Sequence, residues 1–350
     1  MPEAEFRWLH ISDLHTGMSN QDWLWPTLKH SLFTDLRKLH GAIGPWQLVI
    51  FSGDLVQQGA RAEFAKLDTI LKEIWRVFRD LGFTPSLFVV PGNHDLARPK
   101  ATEPTGLVLK RWWEEREVRE EFFSNTKSTY RKTIEQYFSE YTLWCNRVPD
   151  EVPLITRSRG LLPGDASGII ETDGHRVGIV GLNSTWLQLD NKNYRSSLHV
   201  DTRQLLAVTE GDPASWCSRN TLNLLVTHQG VDWLHPDSES YWNSDIAPPG
   251  RFHVHLFGHM HEPTASLVSQ GGSMPRASVQ AASLCGLEYT GERNLERVHG
   301  YSLCQSRRNG FGIQIHAWPR KLRPLISGER KFGPDAGFDL ALQLHFAFQM

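Results

Sequence analysis

Five short polar motifs each close an apolar run, and this pattern constrains the fold more than any other feature of the chain. The run 6–11 stops at Ser12-Asp13-Leu14-His15, 47–51 at Ser52-Gly53-Asp54, and 86–90 at Pro91-Gly92-Asn93-His94-Asp95. Further on, 223–226 stops at Thr227-His228, and 252–257 at Gly258-His259-Met260-His261. Short β-branched or aromatic runs bounded by Gly or Pro read as buried strands. Between the first three lie 23–39 and 62–81, whose apolar residues recur at helical spacing. Strand, helix, strand alternation implies an α/β sheet. In such sheets, sites form beyond the carboxyl ends of strands. Every motif stands at such an end, so five distant segments can converge.

What would converge is two Asp, one Asn and four His: Asp13, His15, Asp54, Asn93, His228, His259 and His261. That set can hold two metal ions side by side. Asp13 and His15 are two apart, and at a strand end both can reach one ion. His259 and His261 repeat the spacing, with Met260 between them read as core. Gly53 permits a sharp turn before Asp54, whose two carboxylate oxygens can bridge two cations. Asn93 adds a neutral oxygen. His94 should point away from the metals and toward substrate, and Asp95 can accept its other ring N–H and fix the tautomer. Oxygen and imidazole ligands without thiolate suit Mn, Fe, Zn, Ni or Co, manganese foremost, and disfavour a structural zinc site. Two such ions about 3.5–4 Å apart can deprotonate a bridging water and neutralise charge in an in-line displacement at phosphorus. An imidazole that protonates the leaving alkoxide contributes about 10²–10⁴-fold.

The ordered set Asp-Leu-His, Gly-Asp, Gly-Asn-His-Asp, His, Gly-His-Met-His resembles the calcineurin-like metallophosphoesterase superfamily over residues 6–265. The resemblance implies a four-layer α-β-β-α sandwich with its site at the sheet edges. It further implies that Asp13, His15 and His261 bind a first metal and Asp54 bridges. Asn93, His228 and His259 would bind a second, and His94 would be the catalytic acid, supported by Asp95. Ser/Thr protein phosphatases of the superfamily usually carry an Arg soon after Gly-Asp, and Gly-Asn-His-Glu. Here Gly53-Asp54 is followed by Leu-Val-Gln-Gln-Gly, and the third motif ends in Asp95. The chain is thus more similar to the phosphodiesterase and nuclease branches. The segments Gly181-Leu182-Asn183-Ser184 and Gln280-Ala281-Ala282-Ser283 also look like superfamily strands flanking the site.

The rest of the chain is read around this centre. Residues 107–148 are charged, aromatic and helix-like. They place a helical insertion at 97–165, a candidate cap, within a single domain covering 1–350. Strands resume at 168–171 and 177–183, with a helix near 201–209. Further strands at 277–282, 301–305 and 312–318 would complete the sandwich within 266–350. Alternating apolar residues from Leu340 to Phe348 predict a last strand whose greasy face packs on the body or on a second copy of the chain. His10, His253 and His255 are read as solvated or core histidines, His199 and His235 as lacking supporting neighbours, and Asp165 and Asp173 as turn residues. Arg307-Arg308 and 320–331 supply seven Lys/Arg and could touch a nucleic-acid backbone. The cap cations (Lys110, Arg111, Arg116, Arg119, Lys127, Arg131, Lys132) are interleaved with Glu and read as a solvated face. Trp112, Trp113, Phe122, Phe123, Tyr137 and Trp144 read as packing rather than base-stacking groups.

A net charge of −2 over 350 residues gives no global bias toward nucleic acid or membrane. No apolar run approaches the roughly 18 residues of a membrane span. The N-terminus lacks a signal-peptide pattern, so a cytoplasmic location is the default expectation. Cys145, Cys217, Cys285 and Cys304 form no CxxC pair and read as free thiols. The expected function is hydrolysis of nucleic acid or of cyclic or dinucleotide phosphodiesters, by a hydroxide bridging two metals with His94 as general acid. A phosphomonoesterase, a non-catalytic interaction scaffold of the same fold, and a module of a larger system are the alternatives.

Overall fold

A computed structural model describes residues 5–349, except 20–22, 156–157, 173, 262, 270–273, 286–287, 291–293, 297–298, 310–311, 327 and 341–345. The chain opens on β1 (Glu5–Ile11), α1 (Leu24–Ile43), β2 (Leu48–Phe51), α2 (Arg61–Asp80) and β3 (Ser86–Val89). β1 pairs in parallel with β2, and β2 with β3. Their carboxyl ends therefore lie side by side, each with a motif on it. α1 turns Leu24, Leu28, Leu32, Leu36 and Leu39 inward and stops at Gly44, whose φ of 91° lets its N–H reach the His40 carbonyl. α2 buries Phe64, Leu67, Ile70, Leu71, Ile74, Trp75 and Phe78. The Glu63 carboxylate closes its first turn by accepting the N–H groups of Gln58 and Ala60 at 2.9 and 3.1 Å.

Within 97–165 come α3 (Pro104–Leu109), α4 (Arg116–Ser124), α5 (Thr129–Tyr137), α6 (Ser139–Cys145) and the short β4 (Ser158–Arg159). The aromatic residues here fill cores. Trp112, Phe122 and Trp144 are buried. Trp144 stacks on Phe64 of α2 and donates its indole N–H to Asp68 at 2.8 Å. Trp112 sits against Trp186 and donates to His199 Nδ1 at 3.0 Å. His199 and His235 are thus not without neighbours, since His235 stacks on Trp113 with centroids 3.8 Å apart. The partners come from loops far away in sequence.

The second half runs β5 (Ala166–Thr172), β6 (His175–Gly181), α7 (Thr202–Val208), α8 (Pro213–Ser218), β7 (Leu222–Val226), α9 (Pro236–Tyr241), β8 (Val254–Phe257), β9 (Thr264–Val268) and β10 (Arg276–Gln280). A hairpin, β11 (Glu288–Thr290) and β12 (Asn294–Glu296), precedes β13 (Gly300–Asn309), β14 (Gly312–Pro324), β15 (Arg330–Pro334) and β16 (Phe346–Gln349). Among the described residues the strands form two seven-stranded sheets besides that hairpin. The first is ordered β15-β14-β13-β1-β2-β3, with β16 also on β14; the second is ordered β4-β5-β6-β7-β8-β10-β9. β6, β7, β8 and β10 are mutually parallel. The C-terminal alternation is a strand at β16, while 341–345 lie outside the described residues.

The period-two alternation of strand side chains decides the layers. Phe6, Trp8, Leu48, Ile50 and Phe88 face the second sheet and form one core with Ile179, Leu224, Val226, Val254 and Leu256. Their neighbours Leu9, Ile11, Val49, Phe51, Leu87 and Val89 join a second core with the apolar faces of α1 and α2. The result is the four-layer α-β-β-α sandwich, whose parallel strands are apolar on both faces because both are covered. No helix among the described residues is long and apolar enough to cross a membrane.

The C-terminal basic stretch is more neutralised than its composition suggests. Arg320 is buried, and its Nε and Nη2 donate to Asp35 of α1 at 2.8 and 2.5 Å, where Tyr301 also donates. Arg307 pairs with Glu5, Arg323 with Asp335 and Lys331 with Glu329. Four of the seven cations therefore have carboxylate partners, one of them deep in the fold.

Candidate metal centre

The ends of β1, β2 and β3 meet those of β7 and β8 at one edge of the sandwich. Backbone hydrogen bonds lock the loops together: Asp13 N donates to Gly53 O and His15 N to Asp54 O, both at 3.0 Å. Cys285 N and Ser283 Oγ donate to Asp13 O at 3.0 and 3.1 Å, so the 280–283 segment braces the first motif. Ser184 Oγ accepts the N–H groups of His228 and Gln229, so the 181–184 segment braces the fourth. Two glycines are required by close approach. A Cβ on Gly53 would lie 2.3 Å from His228 Nδ1, and one on Gly92 would lie 2.1 Å from Asp54 Oδ1.

Backbone strain concentrates here. Among the described residues seven non-glycines have positive φ, and five of them are Asp13, His15, Asp54, His259 and His261, at 48–74°. Each such residue costs about 1–3 kcal/mol and persists only where its surroundings enforce it.

Among the described residues, three groups of side chains could each hold a metal ion, their ligand atoms within 4.8 Å of one another: Asp13-His15-His261, His15-Asp54-His94 and Asp54-His228-His259. Asp54 is common to two of them. Around His228 the atoms make a specific demand. His228 Nδ1 lies 2.8 Å from Ser52 O, which can only accept, so Nδ1 carries a proton and the neutral ring presents a lone pair at Nε2. That Nε2 lies 3.1 Å from Asn93 Oδ1, 3.2 Å from His259 Nδ1 and 3.3 Å from Asp54 Oδ2. Four atoms able to present lone pairs thus converge, an arrangement that a metal cation between them, or a proton on one of the rings, makes favourable. On the other side of Asp54, His261 Nε2 is 3.3 Å from Asp13 Oδ1, and His15 Nε2 is 3.8 Å from both Asp13 Oδ1 and Asp54 Oδ2. The residues present fit two cations sharing Asp54.

Protonation preferences agree. Burial pulls His15 down to about 4 and His259 down to about 3, which keeps both rings neutral donors of lone pairs. Burial also acts to lower His228, but the Asp54 carboxylate overrides it and holds the ring up to about 9. Burial would raise Asp54, yet His228 and the other nearby imidazoles hold it well below the usual carboxylate range. A proton on His228 and a metal ion are alternative answers to the same negative field.

Asp95 corrects an expectation. It does not touch the His94 ring, whose Nδ1 lies 2.8 Å from the Gln57 carbonyl. Asp95 accepts backbone N–H groups from Leu55 (3.2 Å), Val56 (2.9 Å) and Gly92 (2.8 Å). It pins the Asp54 loop to the Asn93 loop. The reason is geometric: consecutive residues at a tight turn point apart, so Asp95 goes inward while His94, half-buried, stays at the mouth. Burial and the Asp54 charge push Asp95 up to about 7, against the pull of its three N–H donors.

His10 and His255 are core residues, bonded through Nε2 to Ser52 Oγ and Thr227 Oγ1. Asp165 is more than a turn residue. It is buried and accepts from Leu162 N, Asn183 N and Gln204 Nε2. Sequence reasoning missed three contributors. Gln57 acts through its carbonyl, which leaves no side-chain signature. Trp233 sets its ring edge-on to His259 at 4.2 Å. Arg98 places Nη2 3.4 Å from the Asn93 carbonyl and bonds to Asn191. A cleft of about 1030 Å³ between Tyr141, Arg159 and Asp165 is lined by none of the candidate ligands.

The family model for calcineurin-like phosphoesterases matches residues 6–263. Among solved structures, Vps29 of Chaetomium thermophilum is matched at 12% identity and a TM-score of 0.35, over 98% of this chain and 96% of that one. The sulfate thiohydrolase SoxB of Thermus thermophilus, in complex with glycerol, is matched at 14% and 0.40 over 86% of this chain. Purple acid phosphatase PPD1 of yellow lupin (Lupinus luteus) is matched at 11% and 0.43 over 91% of this chain. The match spans 54% of the SoxB chain and 52% of the PPD1 chain. No match was found among curated proteins. At these identities and TM-scores the assignment rests on the family model, which covers most of the chain. The chain belongs to the calcineurin-like phosphoesterase family.

Proposed function

We propose that the chain is a phosphohydrolase dependent on two divalent metal ions, manganese foremost, and that it acts as a phosphodiesterase on nucleic acid or on cyclic or dinucleotide phosphodiesters. The observation that carries this reading is the convergence of lone-pair atoms on both sides of Asp54. Asp13, His15 and His261 would hold one ion, Asn93, His228 and His259 the other, and Asp54 both. When bound, such a pair supplies an activated water and neutralises the phosphoryl oxygens.

The chain's own groups do the rest. The His94 N–H donates to Asp54 Oδ1 at 2.8 Å, which ties the shared carboxylate to the loop bearing the acid. The Gln57 carbonyl keeps a proton on His94 Nδ1 in both charge states. Nε2 is therefore the atom that gives its proton to the leaving oxygen and later regains one. Arg98, beside Asn93, offers a guanidinium to a phosphoryl oxygen at the mouth. The diesterase assignment leans on Leu55-Val56-Gln57-Gln58-Gly59 after the second motif and on Asp95 rather than Glu in the third.

The test is to measure bound metals and assay a generic phosphodiester, a phosphomonoester, single- and double-stranded DNA, RNA and cyclic nucleotides. His94→Ala should lower diester turnover by about 10²–10⁴-fold, and Asp54→Asn should remove metal and activity together. Unchanged activity in both variants would sink the mechanism. Monoesterase activity alone would sink the branch assignment, and no divalent-metal binding would favour an interaction scaffold.

A further inference from the structure

The hairpin of β14 and β15 turns on the same edge of the sandwich as the metal bays. β13 runs antiparallel to β1, and β14 antiparallel to β13, so β14 points the same way as β1. One rung joins His10, Ser302 and Pro319. Lys321 lies two residues past that rung, level with Ser12 where the first motif begins. Arg323 lies two residues further out, a rise of about 7 Å. Two or three strand spacings separate β14 and β15 from β1, about 10–15 Å in all.

Period-two alternation sets where these side chains point. Arg320 turns onto Asp35 of α1, and Leu322 packs on the core beneath α1, as does Phe332 paired opposite it. Lys321 and Arg323 therefore turn to the other side of the sheet, where Ile315 and Ala317 meet the second sheet. That is the sheet whose β7 and β8 precede His228, His259 and His261. Lys331 pairs directly with Arg323 and faces the same way, as does Gly333 opposite Lys321. A Cβ on Gly333 would meet no described atom within 4 Å, so the face is open there. Two carboxylates share it: Asp335 is 3.7 Å from Arg323, and Glu329 3.0 Å from Lys331, the cations being 41% and 54% exposed. Such exposed pairs contribute about 0–1 kcal/mol, so a row of external anions can displace them. Like charges directly opposite on a sheet destabilise it, and Arg323 and Lys331 are such a pair. Phosphates laid along the hairpin would relieve that repulsion.

We propose that Lys321, Arg323 and Lys331 hold the phosphate backbone of a polynucleotide whose scissile phosphate lies at the metal bays. The assignment rests on the phosphohydrolase reading and narrows its substrate to a polymer. At about 3.4 Å per charge along one strand, the distance from β1 to the hairpin spans three to four phosphates, so a cyclic mononucleotide would touch the bays alone. The test is fluorescence anisotropy of manganese-loaded protein with a hydrolysis-resistant phosphorothioate oligonucleotide over a salt series, beside turnover of a generic small phosphodiester. In the triple variant Lys321→Gln, Arg323→Gln, Lys331→Gln, the slope of log affinity against log salt should shrink by about 2, and binding should weaken tenfold or more. Small-diester turnover and the melting curve should not change. The charge-preserving variant Lys321→Arg, Arg323→Lys, Lys331→Arg should keep the parent's slope. An unchanged slope in the glutamine variant overturns the proposal, as does equal loss of small-diester turnover. Preference for phosphatidylserine vesicles over the oligonucleotide, through exposed Leu325 and Ile326 at the hairpin tip, also overturns it. All three outcomes leave the phosphohydrolase reading standing. Hydrolysis of no phosphoester overturns that reading, whatever the salt slope.

Discussion

Asp95 offers the sharpest separation between two roles for one carboxylate. Its three backbone donors, Leu55, Val56 and Gly92, are all buried. Asp95→Ala leaves three N–H groups without an acceptor, at about 1–3 kcal/mol each, for a loss of at least about 3 kcal/mol. That is a large share of the roughly 5–15 kcal/mol that holds a typical domain together. Asp95→Asn is milder. An amide oxygen in the Oδ2 position keeps the bonds from Leu55 and Gly92. The amide NH₂ then faces Val56 N–H, and one bond is lost for about 1–3 kcal/mol. Urea denaturation at fixed metal concentration reads the stability change, and elemental analysis reads the metal retained. Both should fall in the order wild type, Asn, Ala, because the carboxylate spaces the Asp54 loop from the Asn93 loop. The pH dependence of turnover is the deciding measurement. A carboxylate bonded to the His94 ring would shift the limb reporting that histidine when replaced by an amide. A brace on the backbone leaves the limb in place. An Asp95→Asn variant with unchanged stability and metal content but a displaced limb would refute the reasoning.

Two further outcomes follow from buried charges. Asp35→Ala strands Arg320 inside the fold and should cost about 3–5 kcal/mol in urea melts, whereas Tyr301→Phe, which removes one donor to Asp35, should cost about 1 kcal/mol. His199 is pulled down by burial to about 4 from the ordinary 6.5. Its contribution is therefore fully present above pH 6.5 and lost as pH falls through 4, about 3 kcal/mol in all. In His199→Gln, the pH slope of the melting midpoint over that window should shrink relative to the parent.

Much of the candidate centre was legible because its candidate ligands stand at strand ends and leave two signals, an apolar run and a polar stop, both local in sequence. The glycines at 53 and 92 were legible for the same reason. What escaped depends on distance along the chain. Asp95 was assigned to its sequence neighbour His94, whereas its partners at 55 and 56 arrive through the β2–β3 pairing. Arg320 looked like part of a basic surface, yet its partner Asp35 is 285 residues away. His199 and His235 looked isolated because rings that surround them lie far away in sequence, between 112 and 123. Most element bounds moved by a residue or two, but α1 runs four residues past its expected end, to Ile43, and β13 and β14 run longer than their apolar patterns, since strand length is set by the partner as much as by composition.

The left-handed backbone at Asp13, His15, Asp54, His259 and His261 has a consequence for anyone improving this protein. Glycine would accept these torsions without penalty, so at each position the substitution that relaxes the chain is also one that deletes a candidate ligand. A library screened for heat resistance alone, in chelator, should enrich glycine at these five sites. The same library screened for turnover should purge it. Thermal selection and functional selection are thus set against each other at the rim of two sheets, and the residues on which they disagree would outline the reaction centre without any assay of substrate.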